Sequence, residues 1–203
     1  MNTVYENADL NNASEAEQLA AVQHMGSVVR HIQNPSEAVQ LAAVQCTPHA
    51  IKYIKNPSLA VELAVVQKDR DFIQYIENPS TEVQLYVVQK DSNTIQFIKN
   101  PSIEAQLAAV HNNGNSISFI KSPSEVVQLA AVRNSTEAIQ FIRNPTRQVA
   151  IVGLLGLYNS KRVYWVKGEN LLDKQLRRIH KLHPTWDEIT IIADDAGVVL
   201  NKG

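Results

Sequence analysis

Prolines at positions 35, 57, 79, 101, 123 and 145 fall 22 residues apart without a gap, and this period constrains the chain more than any other feature. Five of the six stand in Asn-Pro and the sixth in Ser122-Pro123; upstream, Asn12-Ala13-Ser14 keeps the register without a proline. A fixed period of this length marks a tandem array in which each unit buries its apolar face on its neighbours. One unit reads Asn34-Pro35-Ser36-Glu37-Ala38-Val39-Gln40-Leu41-Ala42-Ala43-Val44-Gln45, then Cys46-Thr47-Pro48-His49-Ala50-Ile51-Lys52-Tyr53-Ile54-Lys55.

Asparagine is a good helix N-cap and proline suits the first helical position, so each Asn-Pro is expected to start a helix A and to end the helix before it. Glu15, Glu37 and Glu125, three residues past that cap, suggest a capping-box-like arrangement. Helix A is expected to run about 11 residues, as from Pro35 to Gln45. Helix B is shorter, about eight residues from Pro48 to Lys55, and short enough to be partly 3₁₀. Neither is stable alone, so both must pack on the next repeat. The expected core lines are the helix-A leucines (Leu19, Leu41, Leu63, Leu85, Leu107, Leu129) with Val22, Val44, Val66, Val88, Val110 and Val132 three residues on. Helix B adds Val29, Ile51, Ile73, Ile95, Ile117 and Ile139, then Ile32, Ile54, Ile76, Ile98, Ile120 and Ile142.

The unit Asn-Pro-Ser-x-x-Val-Gln-Leu-Ala-Ala-Val followed by a short Ile-x-x-Ile helix resembles the short HEAT-like bacterial repeats. It is similar to the leucine-rich-repeat variant and to related repeats of bacterial and viral proteins, over residues 12 to about 155. The unit is shorter than the usual variant repeat, and glutamine stands where that family often has arginine. The resemblance implies a superhelical α-solenoid used for binding. The expected architecture is a mainly α, right-handed solenoid of about six to seven two-helix repeats over 1–159, starting near 13, 35, 57, 79, 101, 123 and 145.

Residues 1–12 are polar and read as a small N-terminal cap or frayed end, without the basic patch and apolar core of a signal peptide. At the other end, Val149-Ala150-Ile151-Val152-Gly153-Leu154-Leu155-Gly156-Leu157 is apolar all round, so the segment 160–203 is expected to dock on it as a small α+β cap. Arg162 to Val166 reads as a strand, Asn170 as the cap of a helix from Leu171 to about Leu182, and Ile189 to Leu200 as a hairpin around Asp194-Asp195-Ala196-Gly197. An exposed strand edge there would offer a route to a homodimer.

Composition adds bounds. Hydrophobic residues at 44% exclude a disordered chain, and charged residues at 19% with a net charge of -1 give no global pull toward nucleic acid or acidic membrane. The lone Cys46 excludes an intrachain disulfide and fits a reducing compartment, the cytoplasm or a host-cell cytoplasm. No apolar run approaches the roughly 20 residues of a membrane span.

Periodic rows are the candidate sites. Gln18, Gln40, Gln84, Gln106 and Gln128, interrupted by Glu62, read as amides that satisfy backbone groups of the neighbouring repeat. A second row, Gln23, Gln45, Gln67, Gln89, His111 and Arg133, reads as surface. His31, Tyr53, Tyr75, Phe97, Phe119 and Phe141 form an aromatic row read first as packing between repeats. Beside Arg30, Lys52, Gln74, Gln96 and Gln140 the same rings can grip a peptide or stack a base. Before each proline stand Gln33, Lys55, Glu77, Lys99, Lys121 and Arg143, a broken cation row that can follow an acidic surface or a phosphate backbone. Lys174, Arg177, Arg178 and Lys181 make a basic helix. His180 and His183, with Asp187 and Glu188 nearby, are a weak metal pattern, and Asp194-Asp195 fits a turn better than a carboxylate pair. No phosphate loop, nucleophile elbow, zinc pattern or dinucleotide fingerprint is present.

The expected function is therefore a non-enzymatic, cofactor-free scaffold that binds another protein, as an adaptor or inhibitor. A nucleic-acid-binding solenoid using the cation row and the basic helix is the alternative, and an enzyme with its site in the C-terminal cap is a second.

Overall fold

The computed structural model describes residues 9–160, 165–166 and 169–196. These are mainly helical, and within each of two compact units successive helices pack on their neighbours as in an α-solenoid. Each repeat contributes a ten-residue α-helix and a six-residue 3₁₀ helix. In order they are α1 (Glu15–His24), η1 (Gly26–His31), α2 (Glu37–Cys46), η2 (Pro48–Tyr53), α3 (Leu59–Lys68), η3 (Arg70–Tyr75), α4 (Thr81–Lys90), η4 (Ser92–Phe97), α5 (Ile103–Asn112), η5 (Gly114–Phe119), α6 (Glu125–Asn134) and η6 (Thr136–Phe141). The longer α7 (Arg147–Asn159) follows, then β1 (Trp165–Val166), β2 (Glu169–Asn170), α8 (Leu171–Leu182) and α9 (Asp187–Ala196). The chain forms two compact units, one from Met1–Lys90 with Gln96–Ser102, the other from Asp91–Ile95 with Ile103–Gly203.

The helices start later than Asn-Pro implies. The N-cap is the residue after proline, with Ser36 at φ -61° and ψ 161° and its Oγ accepting from the Val39 amide at 3.3 Å. Ser14, Ser58 and Thr146 cap in the same way. Asparagine and proline lie in the extended turn instead. Proline's fixed φ serves an extended residue as well as a helical one, and it forbids the residue before it from being helical. Glu17, not Glu15, closes the one capping box among the described residues, around Ser14. Glu15 and Glu125 instead accept from the hydroxyls of Ser36 and Thr146, the caps of the following repeats.

The short helices are 3₁₀ throughout. With three residues per turn, residues three apart eclipse. Ile51 and Ile54 both point inward while Lys52, Tyr53 and Lys55 are exposed. η1, η2, η3, η5 and η6 end on an extended isoleucine whose amide bonds back three residues, as Ile54 does to the Ile51 carbonyl at 3.1 Å.

The core of helix A also differs from the expectation. Val39, Ala43 and Val44 are closed to solvent, but Leu41, Leu63, Leu85, Leu107 and Leu129 are only half-buried. At about 100° per residue, Val39, Gln40, Ala43 and Val44 span an arc of about 140°, and Leu41 lies beyond its edge. Glutamine, not leucine, occupies the middle of the buried arc.

In the second unit α8 and α9 pack on α7 and on each other, and α8 also touches η6. The apolar α7 is covered as its composition demands. The expected hairpin over Ile189–Leu200 is not formed: Asp187–Ala196 is a helix, with Ile189, Ile192 and Ala193 buried at helical spacing. Residues 197–200 lie outside the described set. The expected strand over Arg162–Val166 is reduced to Trp165 and Val166, which pair antiparallel with Asn170 and Glu169; 162–164 are outside the described set.

Candidate interaction surface

The glutamine row bonds the backbone at the start of its own repeat, and at Gln84 it also reaches the next one. Gln84 donates from Nε2 to the Pro79 carbonyl at 2.8 Å and accepts at Oε1 from the Ser102 amide, in the next repeat, at 2.8 Å. Gln40 and Gln128 make the same bond back to Pro35 and Pro123, each at 2.9 Å. Glu62 keeps half of the pattern. Its carboxylate, 3% exposed, accepts from the amide and hydroxyl of Ser80 at 3.0 and 2.6 Å, and it has no donor for its own turn. These amides are thus structural, and the second row (Gln23, Gln45, Gln67, Gln89) is exposed.

The aromatic row is not buried between repeats. Tyr53, Tyr75, Phe119 and Phe141 expose 37, 38, 41 and 42% of their surface, and Phe97 is half-buried. Their position on the 3₁₀ helix is the reason: it sits two residues past the inward isoleucine and one before the next, so the ring projects along the rim of the core.

In the first unit, Tyr75 packs against His49 and Phe72 with ring centroids 5.6 and 5.8 Å apart. The Lys52 ammonium lies 4.8 Å from the centre of the Tyr53 ring. Lys52, with Arg30 from the preceding repeat, holds the Tyr53 phenol below its ordinary range. Lys55, Gln74, Gln96 and Lys99 are exposed on the same helices or just beyond them, with Glu77 at the matching position between the two lysines.

In the second unit the two rows converge. Phe119, Lys121, Gln128, Phe141, Arg143 and Asn144 line a pocket of about 650 Å³ between the C-terminal ends of η5 and η6. Two aromatic faces and two cations border it, and among the described residues no carboxylate does.

The basic helix fares differently. Arg178 of α8 donates to the carbonyls of Ile142 and Ile139 at 2.8 and 3.0 Å, closing the C-terminus of η6, and burial lowers its guanidinium pKa. Arg177 bonds Glu169 at 2.5 Å. Only Lys174, half-buried, and Lys181, exposed, remain of the four. Glu188 is held by Arg147 through contacts of 2.6 and 2.8 Å, which keeps its carboxyl below the ordinary range. His183 stacks on Trp186 with centroids 3.7 Å apart, and Asp194 and Asp195 are exposed on α9. Among the described residues no group of three or more His, Cys, Asp or Glu is placed to hold a metal ion.

Two features escaped the sequence reading. The last residue of helix A reaches back to the previous repeat: Lys68 donates to the Gln45 and Val44 carbonyls at 2.5 and 3.3 Å, and Asn134 joins the His111 carbonyl to the Gly114 amide at 2.8 Å each. The identities at that position vary, so no row was visible; what Lys68 and Asn134 share is a donor long enough to reach. The second is a groove of about 610 Å³ on α5 and α6, lined by Leu107, His111, Val126, Leu129 and Arg133. Its signal is the leucine row itself, once that row is placed outside the core.

No described helix is long and apolar enough to cross a membrane. Compared with protein-family models, curated proteins and solved structures, the chain matches none.

Proposed function

We propose that this chain is a non-enzymatic protein-interaction scaffold, an adaptor or an inhibitor of a partner protein, working in a cytoplasm-like compartment. The observation that carries the reading is the set of half-exposed rings at Tyr53, Tyr75, Phe119 and Phe141, beside exposed cations, on repeats whose core is otherwise closed. Large aromatics with basic neighbours are enriched where proteins anchor one another, and they cost stability in water without a partner. The likeness of the unit to short HEAT-like repeats supports the same reading. Nucleic-acid binding is supported less: Arg177 and Arg178 are engaged within the fold, and the repeats carry more acid than base.

The test is affinity capture with the full chain, with and without nuclease, read by mass spectrometry, beside the variant Tyr53→Ala/Tyr75→Ala/Phe119→Ala/Phe141→Ala. A stoichiometric protein that survives nuclease and is lost with the variant is the expected result. Recovery of nuclease-sensitive material alone would replace this reading with nucleic-acid binding.

A further inference from the structure

We infer that the pocket between η5 and η6 binds an acidic peptide segment in the polyproline II conformation, with an apolar residue or proline at every third position and an acid beside it. This rests on the scaffold reading and names the partner chemistry of one of its surfaces.

The first observation is charge. Lys121 and Arg143 are both exposed at the pocket, and neither meets a carboxylate among the described residues. Elsewhere the row does not repeat this pairing within one unit: Lys55 is preceded by Gln33 and followed by Glu77, and Glu77 again precedes Lys99. Two successive cations without an acid select an anionic ligand.

The second observation is the pair of rings. Phe119 and Phe141 each leave about two fifths of their surface in solvent at the pocket wall, 41 and 42%. A partner that covers them must carry apolar groups as well as charge. A simple anion would leave both rings wet.

The third is spacing. Each ring precedes its cation by two residues, so the apolar and cationic positions recur together once per repeat. Neighbouring packed helices lie about 8–10 Å apart. A polyproline II segment advances about 3.1 Å per residue with three residues per turn, so one face returns after about 9.3 Å. A β-strand returns to the same face after two residues, about 6.7 Å, and so falls out of step. An apolar-acid-x triplet therefore sets one apolar side chain on each phenylalanine and one carboxylate on each cation. Aromatic-lined grooves are a known way to read such helices, whose stiffness lowers the entropy lost on binding.

The probe is fluorescein-labelled (Pro-Asp-Ala)4, titrated with the full chain and read by fluorescence polarisation at about 0.1 M salt, where exposed charges are screened beyond roughly 10 Å. Controls are a peptide of the same composition with proline and aspartate at scrambled spacing, (Pro-Lys-Ala)4 and an oligo-dT of matching length. The expected result is binding of the first peptide that weakens at least about tenfold in Lys121→Glu/Arg143→Glu and in Phe119→Ala/Phe141→Ala, and less than about threefold in Lys55→Glu/Lys99→Glu. Thermal melts check that these surface variants stay folded. No measurable binding, equal binding of the scrambled peptide, or indifference to Lys121→Glu/Arg143→Glu overturns the inference. If a captured native partner still binds that charge-reversed variant, the scaffold reading survives and this pocket loses its role. If oligo-dT binds tighter than the acidic peptide, both fall.

Discussion

Position 62 shows how much one functional group decides inside a repeat. Where Gln84 both donates and accepts, Glu62 only accepts, and it does so while almost closed to solvent. Glu62→Gln restores a donor toward the Pro57 carbonyl and removes a buried carboxylate, so the variant is expected to gain about 1 kcal/mol in chemical denaturation. Gln84→Ala is expected to lose about 1–3 kcal/mol, because it removes the bonds to both the Pro79 carbonyl and the Ser102 amide. That this row serves the backbone was legible from its identity and period; that Gln40 and Gln128 bond the proline carbonyl of their own repeat rather than a neighbour's was not. The capping residue was not legible. Asn34 and Ser36 are both good caps, and it is the bond from the Val39 amide to Ser36 Oγ that separates them. Leucine misled in the same way, since the most apolar residue of helix A lies at the edge of the buried arc while smaller valine and alanine fill it.

Among elements, the C-terminal cap departs most from its sequence. Ile189-Thr190-Ile191-Ile192 is rich in β-branched residues and reads as strand, yet burial of Ile189, Ile192 and Ala193 against α7 and α8 selects the helical period. A propensity worth tenths of a kcal/mol per residue yields to one buried face. The cap is held at its edges by arginine. Arg178→Leu removes two charge-assisted bonds to the end of η6 and is expected to cost about 1–3 kcal/mol. The Arg147–Glu188 pair ties the first turn of α9 to the first turn of α7. Its carboxyl is held below the ordinary value, so its contribution is fully present above the unfolded-state pKa of about 4.3 and fades as the pH falls through the lower folded value. Amide exchange in α9 should quicken as the pH drops below about 4, relative to the intrinsic rate, and Arg147→Ala should abolish that dependence. For the candidate surface, each row was visible from its period, but the convergence of Phe119, Lys121, Phe141 and Arg143 on one pocket depends on adjacency between repeats that no single unit contains.

Over the whole molecule, stability in such an array is a sum of short-range terms. Ile51 and Ile139 hold equivalent places in different units and are both closed to solvent. Truncating either to alanine is expected to cost about 2–5 kcal/mol, with exchange protection lost mainly in the altered repeat and its immediate neighbours rather than throughout the chain. A protein with one undivided core would lose protection everywhere instead. The same short reach has a consequence for how such a chain can change length. Gln84 spans five residues back to Pro79 and 18 forward to Ser102, so the linkage fixes how much chain lies between one turn and the next helix start. One residue added between Gln84 and Ser102 breaks that linkage, whereas a whole 22-residue cassette added or removed at the prolines leaves it intact. Lengthening by complete units is therefore the change that preserves this linkage, and each unit so gained would bring another ring and another pre-proline side chain to the surface.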